Sequence, residues 1–207
     1  IIFKHKNSVL TLMNVCKFKF YKIFEEIQMT KSAIIILMIL VPLVFAEDSS
    51  VRLEVGMKAP EWVFQDADGK EFTMDFWKGK IIQINYVDPD ESEMNEAFND
   101  AVKKVIEVDS LISRDKFEGF GIGDCAATWK PNFAIRFIAA RKAEKFDTTI
   151  LFDYDAKLRK SWGLKKDSYN VIILDKDRVC RAIERGKITD EKQKELIQLI
   201  IDLQNEM

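Results

Sequence analysis

The sequence predicts an α/β fold, a three-layer α/β/α sandwich around a mixed central sheet and opened by a β-hairpin. Three observations predict it. Short runs rich in β-branched and aromatic residues alternate with segments whose apolar residues recur at three-and-four spacing, the order that builds strand–helix–strand units. Paired extended runs flank the turn sequences "DADGK" and "DKD", which places a hairpin at each end of that order. The run "KIIQINYV" (80–87) is nearly continuous in apolar residues, as a central strand buried on both faces requires.

Each element follows from its residues. "EWVFQDADGKEFTM" (61–74) holds two extended stretches around a Gly-containing turn. After the 80–87 strand, Met94, Ala97, Phe98, Ala101, Val102, Val105 and Ile106 trace one face of an amphipathic helix. "KFEGFGIGD" (116–124) is the next strand. "NFAIRFIAARKAEKF" (132–146) is a helix entered after Pro131, whose fixed φ suits a helix start. "TTILFD" (148–153) is a strand, and "AKLRKSW" (156–162) a short helix ended by Gly163. "NVIILD" (170–175) and "RVCRAIE" (178–184) pair as a hairpin. Thr189 caps a last helix that buries Leu196, Ile197, Ile200, Ile201 and Leu203. No repeat occurs, and no linker is long enough to divide the domain.

The amino-terminal quarter is of another kind. "MTKSAIIILMILVPLVFAEDSS" (29–50) has the parts of a secretory signal: Met29, Lys31, an apolar run from Ala33 to Phe45, and Val44 and Ala46 at the cleavage positions. The run is shorter than the ~20 residues that span a bilayer. Cleavage is therefore expected, with a retained anchor as the alternative. Residues 1–28 show neither caps nor a clean period and are taken as translation upstream of the true start. A start at Met13 would give a lysine-rich leader and is less consistent with this pattern. The expected organisation is upstream sequence (1–28), signal peptide (29–46) and one α/β domain (47–207).

Residues 1–46 carry six of the 32 basic and two of the 34 acidic residues, which leaves 26 against 32 in the domain, a net charge of −6. An acidic domain is a poor fit to nucleic acid, whose phosphates require a basic face. The single histidine, His5, lies in the upstream segment. The domain thus has no imidazole to serve as base, proton shuttle or metal ligand, which excludes most hydrolase triads and zinc sites. No cofactor is expected. Cys125 and Cys180 stand 55 positions apart with no CxxC pair. The predicted topology sets them three strand spacings of ~4.8 Å apart and at opposite strand ends, so no disulfide is expected between them.

Three groups of residues are candidates for chemistry. The acidic loop "DPDESE" (88–93) offers Asp88, Asp90 and Glu93 as a cation site or an acid/base pair, but the calcium-loop glycine and late glutamate are missing. The preferred reading is helix capping, with Asp90 as N-cap and Glu93 three residues on. Trp62, Trp77, Trp129 and Trp162 are expected in the core or at its rim. Cys125, in "GIGDCAATWKP", follows a parallel strand at the end where α/β proteins place their sites. It is a weak catalytic candidate, against the preferred reading of a small buried residue.

The stretch "VGMKAPEWVFQDADGKEFTMDFWKGKIIQINYV" resembles the opening of thioredoxin-like proteins of the TlpA and peroxiredoxin type, matched in punctuation at Gly56, Pro60, Gly69, Gly79 and Lys80. "GKIIQINYVDPD", "RKSWGL", "NVIILDKD" and "GKITDEKQKELIQLI" extend the resemblance to the YtfJ-like family, small periplasmic proteins of Gram-negative bacteria with a thioredoxin-like fold. The resemblance implies the fold and an exported, periplasmic location, and no defined activity. Thiol oxidoreductases of this fold carry CxxC, or a peroxidatic cysteine with an upstream threonine, where this chain has Glu91-Ser92-Glu93-Met94. Where those proteins have a cis-proline or an arginine facing the thiol, this chain has Tyr169. The expected function is a non-redox module that binds a periplasmic protein or small ligand, with no stable membrane anchor after cleavage. The alternative is a thiol-redox protein acting through Cys125 alone. A transcription regulator is hard to reconcile with the signal sequence and the acidic charge.

Overall fold

The computed structural model describes residues 52–207. The expected upstream segment and signal peptide lie outside the described residues. Seven strands form one mixed sheet: β1 (Val63–Gln65), β2 (Glu71–Thr73), β3 (Ile81–Val87), β4 (Phe117–Asp124), β5 (Ile150–Asp153), β6 (Tyr169–Leu174) and β7 (Cys180–Arg185). Four α-helices join them: α1 (Glu96–Glu107), α2 (Asn132–Phe146), α3 (Lys157–Trp162) and α4 (Asp190–Asn205). The spatial order is β2-β1-β5-β4-β3-β6-β7, with β3, β4 and β5 parallel and the other pairings antiparallel.

The α/β sandwich expected from the sequence is therefore present, with unequal outer layers. Ile81, Phe117, Val171 and Ile173 on one face meet Phe98 and Val102 of α1 and Leu196, Ile200 and Leu203 of α4. Ile135 of α2 packs on Phe152 of the same face. The opposite face, bearing Ile82, Ile84, Phe120 and Ile172, is covered by six-residue α3, through Leu158 and Trp162, and by an aromatic-rich amino-terminal segment. There the Trp77 ring stacks on Phe120 at 4.3 Å between centroids. Such pairs add about 0.5–1.5 kcal/mol to the area that they bury.

Local chemistry explains the boundaries. Asp66 turns the first hairpin: its carboxylate accepts from the backbone N–H groups of Asp68 at 3.0 Å and Lys70 at 2.9 Å. Gly163 ends α3 in the left-handed region at φ 61°, where a Cβ would sit 2.9 Å from Arg52 Cγ. Thr189 caps α4 by accepting from Lys192 N, as its sequence position predicts. The chain around Gly56 to Ala59 bonds to Arg178 and Cys180, covering the free edge of β7.

Two expectations are corrected. β5 begins at Ile150 and not at Thr148, because the Thr148 hydroxyl turns to the Gly119 carbonyl at 2.5 Å. Trp62, Trp77 and Trp162 are buried, but Trp129 is 88% exposed. It belongs to the loop before α2, and Phe133 and Phe137 of that helix are exposed as well.

A candidate site at the strand ends and a cavity beneath α1 and α2

The loop after β3 is locked by partners distant in sequence. Asp88 is buried, and its Oδ1 accepts from Asp90 N at 2.8 Å, which starts a short 3-10 turn over Pro89–Glu91. Asp90 accepts a hydrogen bond from the Thr128 hydroxyl at 2.6 Å and pairs with Lys130, so it ties this loop to the one after β4. Glu93 is exposed. The expected capping by Asp90 and Glu93 is thus corrected. Asp88 caps the short turn, and α1 starts at Glu96 behind Asn95, which makes no side-chain cap. Asn95 instead donates to the Gly186 carbonyl and accepts from Ile188 N, both at 2.9 Å, fastening the link between β7 and α4. The three carboxylates do not converge, and among the described residues no group of three metal-ligating side chains could hold an ion.

Burial raises the Asp88 carboxyl above its ordinary value of 3.8, with Asp167 adding to the effect and Lys130 and Lys166 opposing it. The folded state therefore holds this proton to higher pH than the unfolded chain does. The contribution of Asp88 to stability is largest in acid and falls as pH rises through the window above 3.8. Asp88→Asn keeps an acceptor for Asp90 N. It should gain stability relative to the wild type between about pH 4 and pH 7. Urea unfolding of both proteins at the two pH values measures this; a relative stability that drops with rising pH would contradict it.

Cys125 sits just past β4, against Ile135, Phe152 and Ala139. Burial pushes its thiol up to about 12, with Asp153 and Asp124 adding to the shift and Arg136 opposing it. Burial pushes Cys180 up to about 11. Both thiols are free, in agreement with the expected absence of a bridge. At neutral pH each is protonated, whereas the attacking form of cysteine is the thiolate.

On the other face the strand ends carry a buried polar cluster. The Tyr86 hydroxyl donates to Asp153 Oδ2 at 3.0 Å. The Asp153 carboxylate also accepts from the backbone N–H groups of Lys157 and Leu158, both at 2.9 Å, and so caps α3. Asp124 pairs with Arg159 of α3 at 2.6 Å. Burial drives the Tyr86 hydroxyl far upward, so it stays protonated and donates. This cluster orients α3, and Asp124 Oδ1 within it is buried without a hydrogen-bond partner among the described residues. The sequence marks Asp153 as the first acid of "DYD" at a strand end, where aspartate suits backbone bonding, and its backbone bonds agree; Tyr86 and Asp124 were not singled out, and the acid closing β4 was the available signal.

A cavity of about 140 Å³ lies between the sheet and helices α1 and α2. Its floor is β4, where Gly119, Gly121 and Gly123 project no side chain beside Gln83, Asn85 and Val87 of β3. Val102 and Ile106 form one wall, and Ile135, Ile138 and Ala139 the other. Here too the sequence carried an unread signal. Gln83 and Asn85 share one face of an inner strand, and the same face of "GFGIG" is bare.

Known proteins share this architecture. A family model described as "Bacterial protein of unknown function (YtfJ_HI0045)" matches residues 61–203. The chain belongs to the YtfJ family. Over 152 residues it is 26% identical to a chloroplastic peroxiredoxin Q from Oryza sativa subsp. japonica and 27% identical to one from Triticum aestivum. Each match covers 68% of this chain and 63% of the relative, so this YtfJ-family chain spans less than two thirds of those curated relatives. The thioredoxin domain of a thiol-disulfide oxidoreductase from Bacteroides vulgatus superposes with a TM-score of 0.54 at 14% identity, over 72% of this chain and 99% of that one. A peroxiredoxin-like protein from Aquifex aeolicus superposes at 0.52 and 15% identity, over 73% and 88%. These superpositions establish the thioredoxin-like fold of the YtfJ-family chain, and the fold alone.

Proposed function

We propose that this YtfJ-family protein is exported to the periplasm and works there as a non-redox module that binds a small ligand or a protein. One observation carries the reading. The β3–α1 loop, where thiol proteins of this fold keep their cysteine, holds Glu91, Ser92, Glu93 and Met94 and is locked through Asp90 to Thr128 and Lys130. The signal-like stretch at 29–46 supports export, as does the periplasmic setting that the family resemblance implies.

The test is native alkylation of the full chain before and after a mild peroxide challenge, with Cys125 and Cys180 mapped separately by mass spectrometry. Both should label slowly and stay reduced, at least about tenfold slower than a free thiol, since burial suppresses the thiolate. Fast labelling at Cys125 with loss after peroxide would replace this reading by the single-cysteine one. Fractionation of a Gram-negative host expressing the chain tests the location; recovery in the cytoplasm alone would refute export.

A further inference from the structure

We infer that the cavity between the sheet and helices α1 and α2 is a binding site for a small, uncharged, mainly apolar molecule that carries one hydroxyl or N–H donor, a phenol-type compound.

The floor of the cavity is built at a cost to sheet packing. Three alternating glycines in β4 remove the side chains that would fill it. At Gly119 an added Cβ would lie 3.6 Å from the Phe117 ring, an ordinary contact, so the backbone there does not require glycine. At Gly121 a Cβ would press on Ile150 Cγ1 at 3.3 Å, so Ile150 fills that position, whereas at Gly119 and Gly123 the nearest atoms stand at ordinary contact distance and the absent side chains leave volume. An engineered apolar cavity of about 150 Å³ takes up benzene, so a space of this size suits one six-membered ring. The walls of Val102, Ile106, Ile135, Ile138 and Ala139 are apolar, as ligand pockets mostly are.

One end of the cavity is polar and its hydrogen bonding is incomplete. The Gln83 amide nitrogen donates to Asn85 Oδ1 at 3.1 Å and to Asn99 Oδ1 at 3.4 Å. Asn99 in turn donates to the Tyr169 hydroxyl at 2.8 Å. Both hydrogens of the Gln83 amide are used within the network, Asn85 Nδ2 donates to Asn99 Oδ1 at 3.4 Å, and Gln83 Oε1 is left over. That oxygen is buried without a hydrogen-bond partner among the described residues, on a residue only 2% exposed. Buried acceptors are almost always satisfied. A ligand donor placed here completes the network, and an apolar ligand does not.

The rim decides the charge of the ligand. Lys142 is paired with Glu96, and Lys103 and Arg114 both lie against Glu107. Arg114 also reaches Asp147, and Lys145 reaches Glu96 and Asp100, so four cations face four acids and the mouth presents no uncompensated charge to attract an anion. A charged ligand would also lose its hydration on entering apolar walls. The assignment deepens the binding-module reading, and the two can fail separately. Cys125 reactivity decides the redox question, and ligand titration decides this one.

The experiment titrates the full chain with phenol, benzene and benzoate and follows backbone amide shifts in NMR spectra together with the melting temperature. Phenol should saturate residues of β3, β4, α1 and α2, with benzene about tenfold weaker for want of the donor and benzoate not saturating. Gln83→Leu should bring phenol and benzene to equal affinity. Ala139→Leu, which fills the space from the helix side, should abolish saturation while the protein stays folded. No saturable shift with phenol, or benzoate binding as tightly as phenol, overturns the proposal. Phenol shifts that persist in Ala139→Leu overturn the location. The ligand series is run on the wild type, so it tests the proposal even if Gln83→Leu does not fold.

Discussion

Arg178→Met should lower the unfolding free energy by about 3 kcal/mol. The Arg178 guanidinium is buried and donates to four backbone carbonyls: Trp77 at 2.6 Å, Lys80 at 2.7 Å, Met74 at 3.1 Å and, more weakly, Asp175 at 3.4 Å. It closes the loop between β2 and β3 from the far side of the sheet. Methionine fills a similar volume and leaves all four carbonyls without that donor. Burial also holds the guanidinium below its ordinary pKa, so part of the hydrogen-bond gain is spent on desolvation, and about 3 kcal/mol is the net. Lysine should not rescue the loss, because one ammonium cannot reproduce the planar fork. Arg178 also sits at φ 66° in the turn from Asp175, a conformation that costs a non-glycine residue about 1–2 kcal/mol. Arg178→Gly should therefore destabilise by roughly 1 kcal/mol less than Arg178→Met. Urea unfolding of the three variants measures all of this; a loss below about 1 kcal/mol in Arg178→Met would show that solvent replaces the guanidinium.

Asp153→Ala is expected to cost about 3 kcal/mol as well, by another route. The carboxylate is 1% exposed and serves two structures at once, accepting from Tyr86 OH and capping α3 through Lys157 N and Leu158 N. Removing it orphans a buried hydroxyl and two helix-start donors together. Tyr86→Phe removes one donor and leaves the carboxylate its three backbone partners, Asp155 N, Lys157 N and Leu158 N, so it should cost only about 1 kcal/mol. In the double variant the orphaned hydroxyl is gone, so the combined loss should fall short of the sum by about 1 kcal/mol. Strict additivity in a double-mutant cycle would mean that the Tyr86–Asp153 bond contributes nothing. The effect on α3 is separable by amide exchange: Lys157 and Leu158 should lose protection in Asp153→Ala and keep it in Tyr86→Phe.

Elements with their own periodicity were legible in the chain alone. The α4 face of Leu196, Ile200 and Leu203 packs as the spacing predicts, and Thr189 caps it. The separation of Cys125 from Cys180 followed from strand order. Asp90 shows the limit. Its position before a helix fitted a cap, because capping is a local interaction that sequence distance can suggest. Its actual partners, Thr128 and Lys130, belong to the loop after β4, and nothing near Asp90 in the chain points to them.

The cavity shows the same limit from the other side. "QIN" in β3 and "GFGIG" in β4 each read as a strand with minor blemishes. Only the parallel register, with Gln83 beside Gly119 and Asn85 beside Gly121, brings the polar pair and the missing side chains into one space. By itself, then, the sequence determined the class of fold, the order of elements, the family and the absence of a cysteine at the β3–α1 loop, because these depend on residue type and short-range spacing. The tertiary structure decided which carboxylate caps, which tryptophan faces solvent, and where a buried oxygen stands without a donor. Those depend on contacts between segments far apart in the chain, and hydrogen-bond satisfaction is a property of the assembled interior.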